Sequence, residues 1–295
     1  MSAQRRLADF LSAYDDAEGH VDRGMRSRFL YRNDATRIVV LMHGLTASPR
    51  SWKDFSHELH EAGATVVVPR LPHHGHDERM TEALLELDET QLDSFGDALL
   101  DQMLALDRPI TVVGHSLGGT LALALAQRRA EIERAIAVAP FLGIAQFPHQ
   151  LHKPAFTVVR RLPNFFLFWN PIDRENLQPE WGYPRYTSHA LAVGIAIADR
   201  LRVDASARTH AAEHIDLVIN RSESSVNNRT VVDLARRWRT HPESRVSLHH
   251  LRGLPRSHDV IEPERRGATA SRVLPILRSL ILEPLPASER RVHTI

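Results

Sequence analysis

The run Ile110-Thr111-Val112-Val113 leads straight into Gly114-His115-Ser116-Leu117-Gly118-Gly119, and an apolar helical pattern starts immediately afterwards. Gly-x-Ser-x-Gly between a strand and a helix is the layout of a nucleophile elbow. The turn is so sharp that its serine takes a strained backbone conformation and the flanking positions cannot carry large side chains. Gly114 and Gly118 meet that demand. Ser116 then projects above the carboxyl ends of the strands, where the first N–H groups and the positive dipole end of the helix face developing negative charge. The chain has no cysteine, which excludes a thiol nucleophile, disulfides, thiolate metal sites and iron–sulfur clusters. Lys53 and Lys153 are its only lysines, so Schiff-base chemistry has few candidates. A serine hydroxyl needs a base, and histidine suits that task at neutral pH, but with 18 histidines in the chain presence alone selects none.

The elements that must position this serine are legible as an alternation. Ile38-Val39-Val40-Leu41-Met42 is a continuous apolar run, as expected of a strand buried on both faces of a parallel sheet. A helix over residues 49–62 follows, then strand Thr65-Val66-Val67-Val68, then Leu92, Phe95, Leu99, Met103 and Leu106 at helical spacing. After the strand at 110–113 and the helix at 118–129 comes strand Ala135-Ile136-Ala137-Val138. The rhythm then stops for about 65 residues, too long for a loop in a compact domain. It resumes with strand Ile215-Asp216-Leu217-Val218-Ile219, a helix over 231–239, strand Val246-Ser247-Leu248 and a helix over 271–282. The pattern specifies an α/β core, residues 1–140 and 206–295, with a mainly parallel sheet flanked by helices and an inserted cap at 141–205.

With this elbow in this setting, the chain resembles the α/β-hydrolases, in particular their capped serine esterase and monoacylglycerol-lipase-like branch, over most of its length. His43-Gly44-Leu45-Thr46, after the first buried strand, matches the family's His-Gly segment. The resemblance implies an oxyanion hole from the N–H groups of Leu45 and Leu117, each donor worth about 2.7–4 kcal/mol to the barrier, with His43 supporting the loop. It also places the base after the last core strand, where the chain runs through His249 and His250 to Arg256-Ser257-His258-Asp259. His258 occupies the expected loop; His249 and His250 are alternatives, and Asp259 is read as structural. The acid belongs three positions after a turn residue and three before a valine, which is the place of Glu223 between Asn220 and Val226. Asp is usual there and Glu is one methylene longer; Asp216 and Asp233 are the alternatives. The order Ser116, Glu223, His258 is one the fold allows.

The resemblance thus implies a cofactor-free serine hydrolase that cleaves carboxylic esters of hydrophobic acyl groups, such as monoacylglycerols or lysophospholipids, through an acyl-enzyme. The cap's aromatic residues, Phe165, Phe168, Trp169 and Trp181 among them, are candidates for the substrate wall or for the cap's own core. Acyl transfer, peptide hydrolysis and ligand binding without turnover remain alternatives. A peptidase would need a cap carboxylate, for which Asp173, Glu175 and Glu180 are available. The histidine-rich run Leu71-Pro72-His73-His74-Gly75-His76-Asp77 suggests a metal site, but the metallo-hydrolase signature His-x-His-x-Asp-His fails at Glu78 and Arg79, and no metal is expected.

Composition sets the outer bounds. The 37 Lys and Arg against 36 Asp and Glu give a formal charge of +1, which offers no bulk attraction to nucleic acid or an anionic membrane. The N-terminal segment carries Arg5, Arg6, Asp9, Asp15 and Asp16 and lacks the apolar core of a signal peptide, so a cytoplasmic location is expected. Two uncharged stretches, 109–127 and 135–152, are interrupted by His115, Ser116 and glycines or by Pro140 and Pro148, and read as buried elements rather than membrane spans. The tail from residue 283 reads as frayed. Oligomeric state is not encoded in any of these features.

Overall fold

The computed structural model of the chain describes residues 2–174, 179, 181–264, 268–285 and 292–294. In chain order the first half comprises α1 (Ala3–Ala17), β1 (Arg28–Leu30), β2 (Ile38–Met42), α2 (Lys53–Glu61), β3 (Thr65–Val68), α3 (Glu89–Leu104), β4 (Ile110–His115), α4 (Leu117–Arg128) and β5 (Ile132–Val138). The second half comprises α5 (His149–Val159), β6 (Phe166–Phe168), β7 (Arg185–Thr187), α6 (Ser188–Ala207), β8 (His214–Asn220), α7 (Asn228–Trp238), β9 (Val246–Leu251), α8 (Ala270–Leu282) and β10 (Val292–Thr294). The expected helix at 49–62 divides into a 3-10 turn, Pro49–Trp52, and α2.

One sheet carries the strands in the order β1-β3-β2-β4-β5-β8-β9-β10. β1 runs antiparallel to β3, and β2, β3, β4, β5, β8, β9 and β10 pair in parallel. The strands alternate between two apolar layers, as the two-residue period of a strand requires. Ile38, Val40 and Met42 of β2 belong to a large cluster with α1, α3, α4, α6 and α7, whereas Val39 and Leu41 belong to a second cluster with α2 and α8. Ala135 and Ala137 of β5 face the first layer, Ile136 and Val138 the second. Parallel strands covered on both faces have no solvated side, which is why β2 is apolar throughout and the polar groups buried in β5, β8 and β9 pair with one another. Chain order reverses at β2: β3 lies on one side of it and β4 on the other. Ligands of open α/β sheets bind at such a switch point, outside the carboxyl ends of the strands.

Sequence patterning does not announce α1. Its buried Leu7 and Leu11 stand one turn apart among charges, and Asp15 turns inward to Arg70. The fully buried Arg70 guanidinium donates to Asp15 Oδ1 at 2.9 Å, Glu18 Oε2 at 2.7 Å, the His74 carbonyl at 3.0 Å and the Tyr14 carbonyl at 3.1 Å. Burial alone would raise the Glu18 carboxyl, but hydrogen bonding from His76 and the Arg70 charge bring it down to about 2.

Between β5 and β8 lie α5, the antiparallel hairpin β6-β7, and α6. Val193, Ile197, Ala198 and Leu201 of α6 join the large core cluster, so the stretch read as a cap at 141–205 includes a helix of the core layer. Of the tail, Glu283 caps α8, Pro286–Arg291 lie outside the described residues, and the backbone of Val292–Thr294 adds an edge strand to β9. No helix among the described residues is long and apolar enough to cross a membrane.

Candidate active site

β4 ends at His115 and α4 begins at Leu117, which leaves Ser116 alone at the turn with φ 54° and ψ −116°. That is a left-handed conformation a serine holds only under constraint. The constraint is visible in its backbone: the N–H donates to Val138 O at 3.0 Å, and the carbonyl accepts from Thr120 N at 3.0 Å and Phe141 N at 3.1 Å. A Cβ on Gly114 would lie 2.1 Å from the Gly118 carbonyl oxygen, and one on Gly118 2.5 Å from that of His43. Glycine is therefore required at both positions. α4 behind the serine is buried from Leu117 to Gln127, which fixes the elbow to the core.

Ser116 Oγ lies 2.8 Å from His258 Nε2, and His258 Nδ1 lies 3.0 Å from Glu223 Oε2. The Glu223 side chain has no exposed surface. Its second oxygen accepts the N–H groups of Ser224 at 2.8 Å and Ser225 at 2.7 Å. Burial pushes this carboxyl up, yet the bond and charge of His258 together with the two N–H groups outweigh it and hold the group below the ordinary glutamate value. Asn220, buried at the end of β8, ties the two loops together. Its amide donates to Pro255 O at 2.9 Å and Ser257 O at 3.1 Å in the His258 loop, and its carbonyl accepts from Glu223 N at 3.1 Å.

The alternative acids and bases are engaged elsewhere. Asp216 sits within β8, accepting from Arg134 Nε at 2.6 Å and lying 2.6 Å from His249 Nε2. Burial opposes its ionisation, but His214, His249 and Arg134 hold it far below the carboxylate range. Asp233 pairs with Arg237 on α7. His250 is a residue of β9, eight positions before His258 and within the strand that precedes its loop.

His43 braces the loop after β2. Leu71 N donates to its Nε2 at 3.0 Å, which leaves Nδ1 to donate to the Gly44 carbonyl at 2.9 Å. Complete burial depresses this imidazole well below its usual value, so it is neutral. The loop passes close to the serine: a Cβ on Gly44 would be 3.2 Å from Ser116 Cβ. Leu45 lines the cavity beside Ser116, and Leu117 opens α4 directly after it.

A cavity of about 850 Å³ opens over Ser116 and His258. Trp169 and Trp181 line it; Phe165 and Phe168, expected on the same wall, do not. Phe165 is half-exposed, and Phe168 lies under the Arg174 guanidinium. Trp169 Nε1 donates to Thr46 Oγ1 at 2.9 Å and Tyr183 N to Thr46 O at 2.9 Å, so the inserted segment is clasped to the Leu45 loop. Asp173 is not part of the cavity wall, and Glu175 and Glu180 lie outside the described residues. In the histidine-rich loop, His73 reaches Gln91, His74 the Pro72 carbonyl and His76 Glu18, so the three rings turn to separate partners.

A sequence profile of the alpha/beta hydrolase family matches residues 39–284. The chain belongs to this family. Among curated relatives, this chain is 37% identical over 95 residues to a thermostable monoacylglycerol lipase of Bacillus sp. strain H-257, a match covering 32% of this chain and 36% of that protein. It is 32% identical over 117 residues to a probable protein phosphatase methylesterase 1 of Caenorhabditis elegans, covering 39% of this chain and 31% of that one. The matched stretch is about a third of the length of each relative. Among solved structures, a soluble variant of Saccharomyces cerevisiae monoglyceride lipase aligns with a TM-score of 0.66 at 14% identity, over 87% of this chain and 91% of that one. A Paleococcus ferrophilus monoacylglycerol lipase gives 0.60 at 18% identity, over 83% and 93%. At such identities these two establish a shared fold.

Within this alpha/beta hydrolase, three groups at the site escape a reading of motifs. Asn220 is visible in the sequence as a turn residue, with no sign that it bonds across to another loop. Ser51 and Glu262 both line the cavity, and neither belongs to a spaced motif. The one available signal for Glu262 is an acid four positions beyond the candidate base His258.

Proposed function

We propose that this alpha/beta hydrolase cleaves carboxylic esters of hydrophobic acyl groups through an acyl-enzyme, with Ser116 as nucleophile, His258 as base and Glu223 as its orienting acid. The observation that carries this reading is the unbroken relay from Ser116 Oγ through His258 to Glu223, at 2.8 and 3.0 Å, at the foot of a cavity of about 850 Å³. Ser116 Oγ attacks the acyl carbonyl while Nε2 takes its proton. The N–H groups of Leu45 and Leu117 receive the oxyanion, and Glu223 stabilises the imidazolium. His258 then passes the proton to the departing alcohol oxygen, and water, activated in the same way, releases the acid. Protein groups and water supply every proton and bond, so the reading calls for no cofactor.

The part of the inserted segment that precedes α6 serves in this reading as the cap, with Trp169 and Trp181 on the substrate wall. The relatives named monoacylglycerol lipase favour a monoacylglycerol-like ester. Labelling with a fluorophosphonate tests the nucleophile: wild type should label and Ser116→Ala should not. A chain-length series of activated esters then reads the acyl preference. Folded wild type that fails to label would overturn the serine mechanism.

A further inference from the structure

The cavity has two walls of unlike chemistry. Phe141, Ile144, Leu191 and Val226 line one part and pack with Ile195 in a small apolar cluster of their own, hung from the end of β5 and from α6. Ser51 and Glu262 line another part and come from the opposite helical layer. Ser51 directly precedes Trp52 and Glu262 directly follows Ile261, and both of those neighbours pack with α2 and α8.

Glu262 is 5% exposed and Ser51 7%. The Glu264 N–H donates to the Glu262 carboxyl at 3.2 Å, and the Ser51 hydroxyl is a polar neighbour of that carboxyl. Glu264 itself is occupied by Trp181 Nε1 at 3.0 Å and by Arg50 at 3.5 Å. A carboxyl offers about four lone-pair positions, more than these neighbours fill, and Glu262 lines the cavity. Burial, with the Glu264 charge beside it, pushes this carboxyl up to about 7. Near neutral pH it therefore both donates and accepts hydrogen bonds, which is the pairing a hydroxyl group needs and an alkyl group cannot use.

The position of His258 decides which half of an ester meets this wall. The leaving oxygen must lie at Nε2 to take its proton, and Glu262 follows four residues along the same loop. The acyl chain is left with the apolar wall. Resting on the ester-hydrolase reading above, we propose that Ser51 and Glu262 form a specificity subsite for the alcohol half of the ester, and that it takes a hydroxyl-bearing alcohol of the glycerol type.

The test compares kcat/KM for three esters of one acyl chain, the glycerol monoester, the ethyl ester and the choline ester, in wild type, Ser51→Ala, Glu262→Gln and Glu262→Leu. Wild type should favour the glycerol over the ethyl ester by about tenfold or more, the discrimination one or two hydrogen bonds supply. Glu262→Leu should lose most of that preference, mainly through KM. Glu262→Gln should keep part of it, because an amide still donates and accepts, and Ser51→Ala should reduce it several-fold. Ser51→Ala and Glu262→Gln carry the comparison if Glu262→Leu does not fold. Equal rates on glycerol and ethyl esters in wild type, or a preference untouched in the variants, would overturn the subsite. A wild type best on the choline ester would overturn it in favour of a cation site. Fluorophosphonate labelling, which is blind to the alcohol, separates the two layers of inference. Labelling without glycerol preference removes the subsite alone, whereas no labelling removes the hydrolase reading as well.

Discussion

Glu223 stands where aspartate is usual in the resembling family, and shortening it gives a graded test of the relay. Glu223→Asp removes one methylene and draws the carboxylate back by about 1.3 Å. The 3.0 Å contact with His258 Nδ1 then opens to about 4.3 Å, beyond hydrogen-bond reach. With an effective dielectric of about 20, the attraction between carboxylate and imidazolium falls from about 5.5 to about 3.9 kcal/mol. The difference, about 1.7 kcal/mol, is close to 20-fold in kcat/KM. Glu223→Gln keeps the length and removes the charge, so it forfeits the whole 5.5 kcal/mol or so, about 10⁴-fold. The shorter but charged side chain should therefore outperform the isosteric neutral one by two orders of magnitude or more. Hydrolysis of an activated ester, with thermal unfolding as a control for folding, measures both variants. A Glu223→Gln enzyme as active as Glu223→Asp would refute the electrostatic role, and one as active as wild type would remove Glu223 from the mechanism.

Asn220→Ala strips two hydrogen bonds from the His258 loop and leaves the Pro255 and Ser257 carbonyls short of a partner. We expect stability to fall by about 1–3 kcal/mol and kcat to fall about tenfold with KM little changed, as read by urea titration and steady-state kinetics. Asp216→Asn leaves the buried Arg134 without its anion and should cost about 3–5 kcal/mol in urea unfolding, with substrate KM unaffected. Two carboxyls give opposite pH slopes. Glu262 is raised from 4.5 to about 7, so the unfolded chain releases that proton first and stability declines as pH climbs from 4.5 through 7; Glu262→Gln should flatten this slope. Glu18 is held down from 4.5 to about 2, so its contribution is full above pH 4.5 and disappears as pH drops toward 2; Glu18→Gln should soften acid unfolding, as followed by urea midpoints at several pH values.

The parallel strands are legible in sequence because burial on both faces leaves them no polar side, and the elbow because its steric demand is local to five residues. Glu223 and His258 are different: each is one acid or one histidine among many, and only the order of elements in a resembling family singles them out. The rival candidates Asp216 and His249, equally plausible as residue types, prove to satisfy each other across β8 and β9. Aromatic character could not tell Trp169 from Phe168, since neighbours on a hairpin point to opposite faces and only one of the two faces is the cavity. α1 is hidden because its apolar contribution is two leucines and an inward carboxylate, and that carboxylate makes sense only beside Arg70, 55 residues later. Contacts across such separations leave no periodic trace.

That ion pair has a practical corollary. The stretch shared with the family begins at residue 39, whereas Asp15 and Glu18, which neutralise the fully buried Arg70, lie upstream of it. A chain trimmed to the shared stretch would strand a guanidinium in the protein interior, next to the loop on which Tyr183 and the cavity wall rest. The stretch matched by the family profile therefore depends on residues upstream of it, because Asp15 and Glu18 neutralise a charge buried inside it.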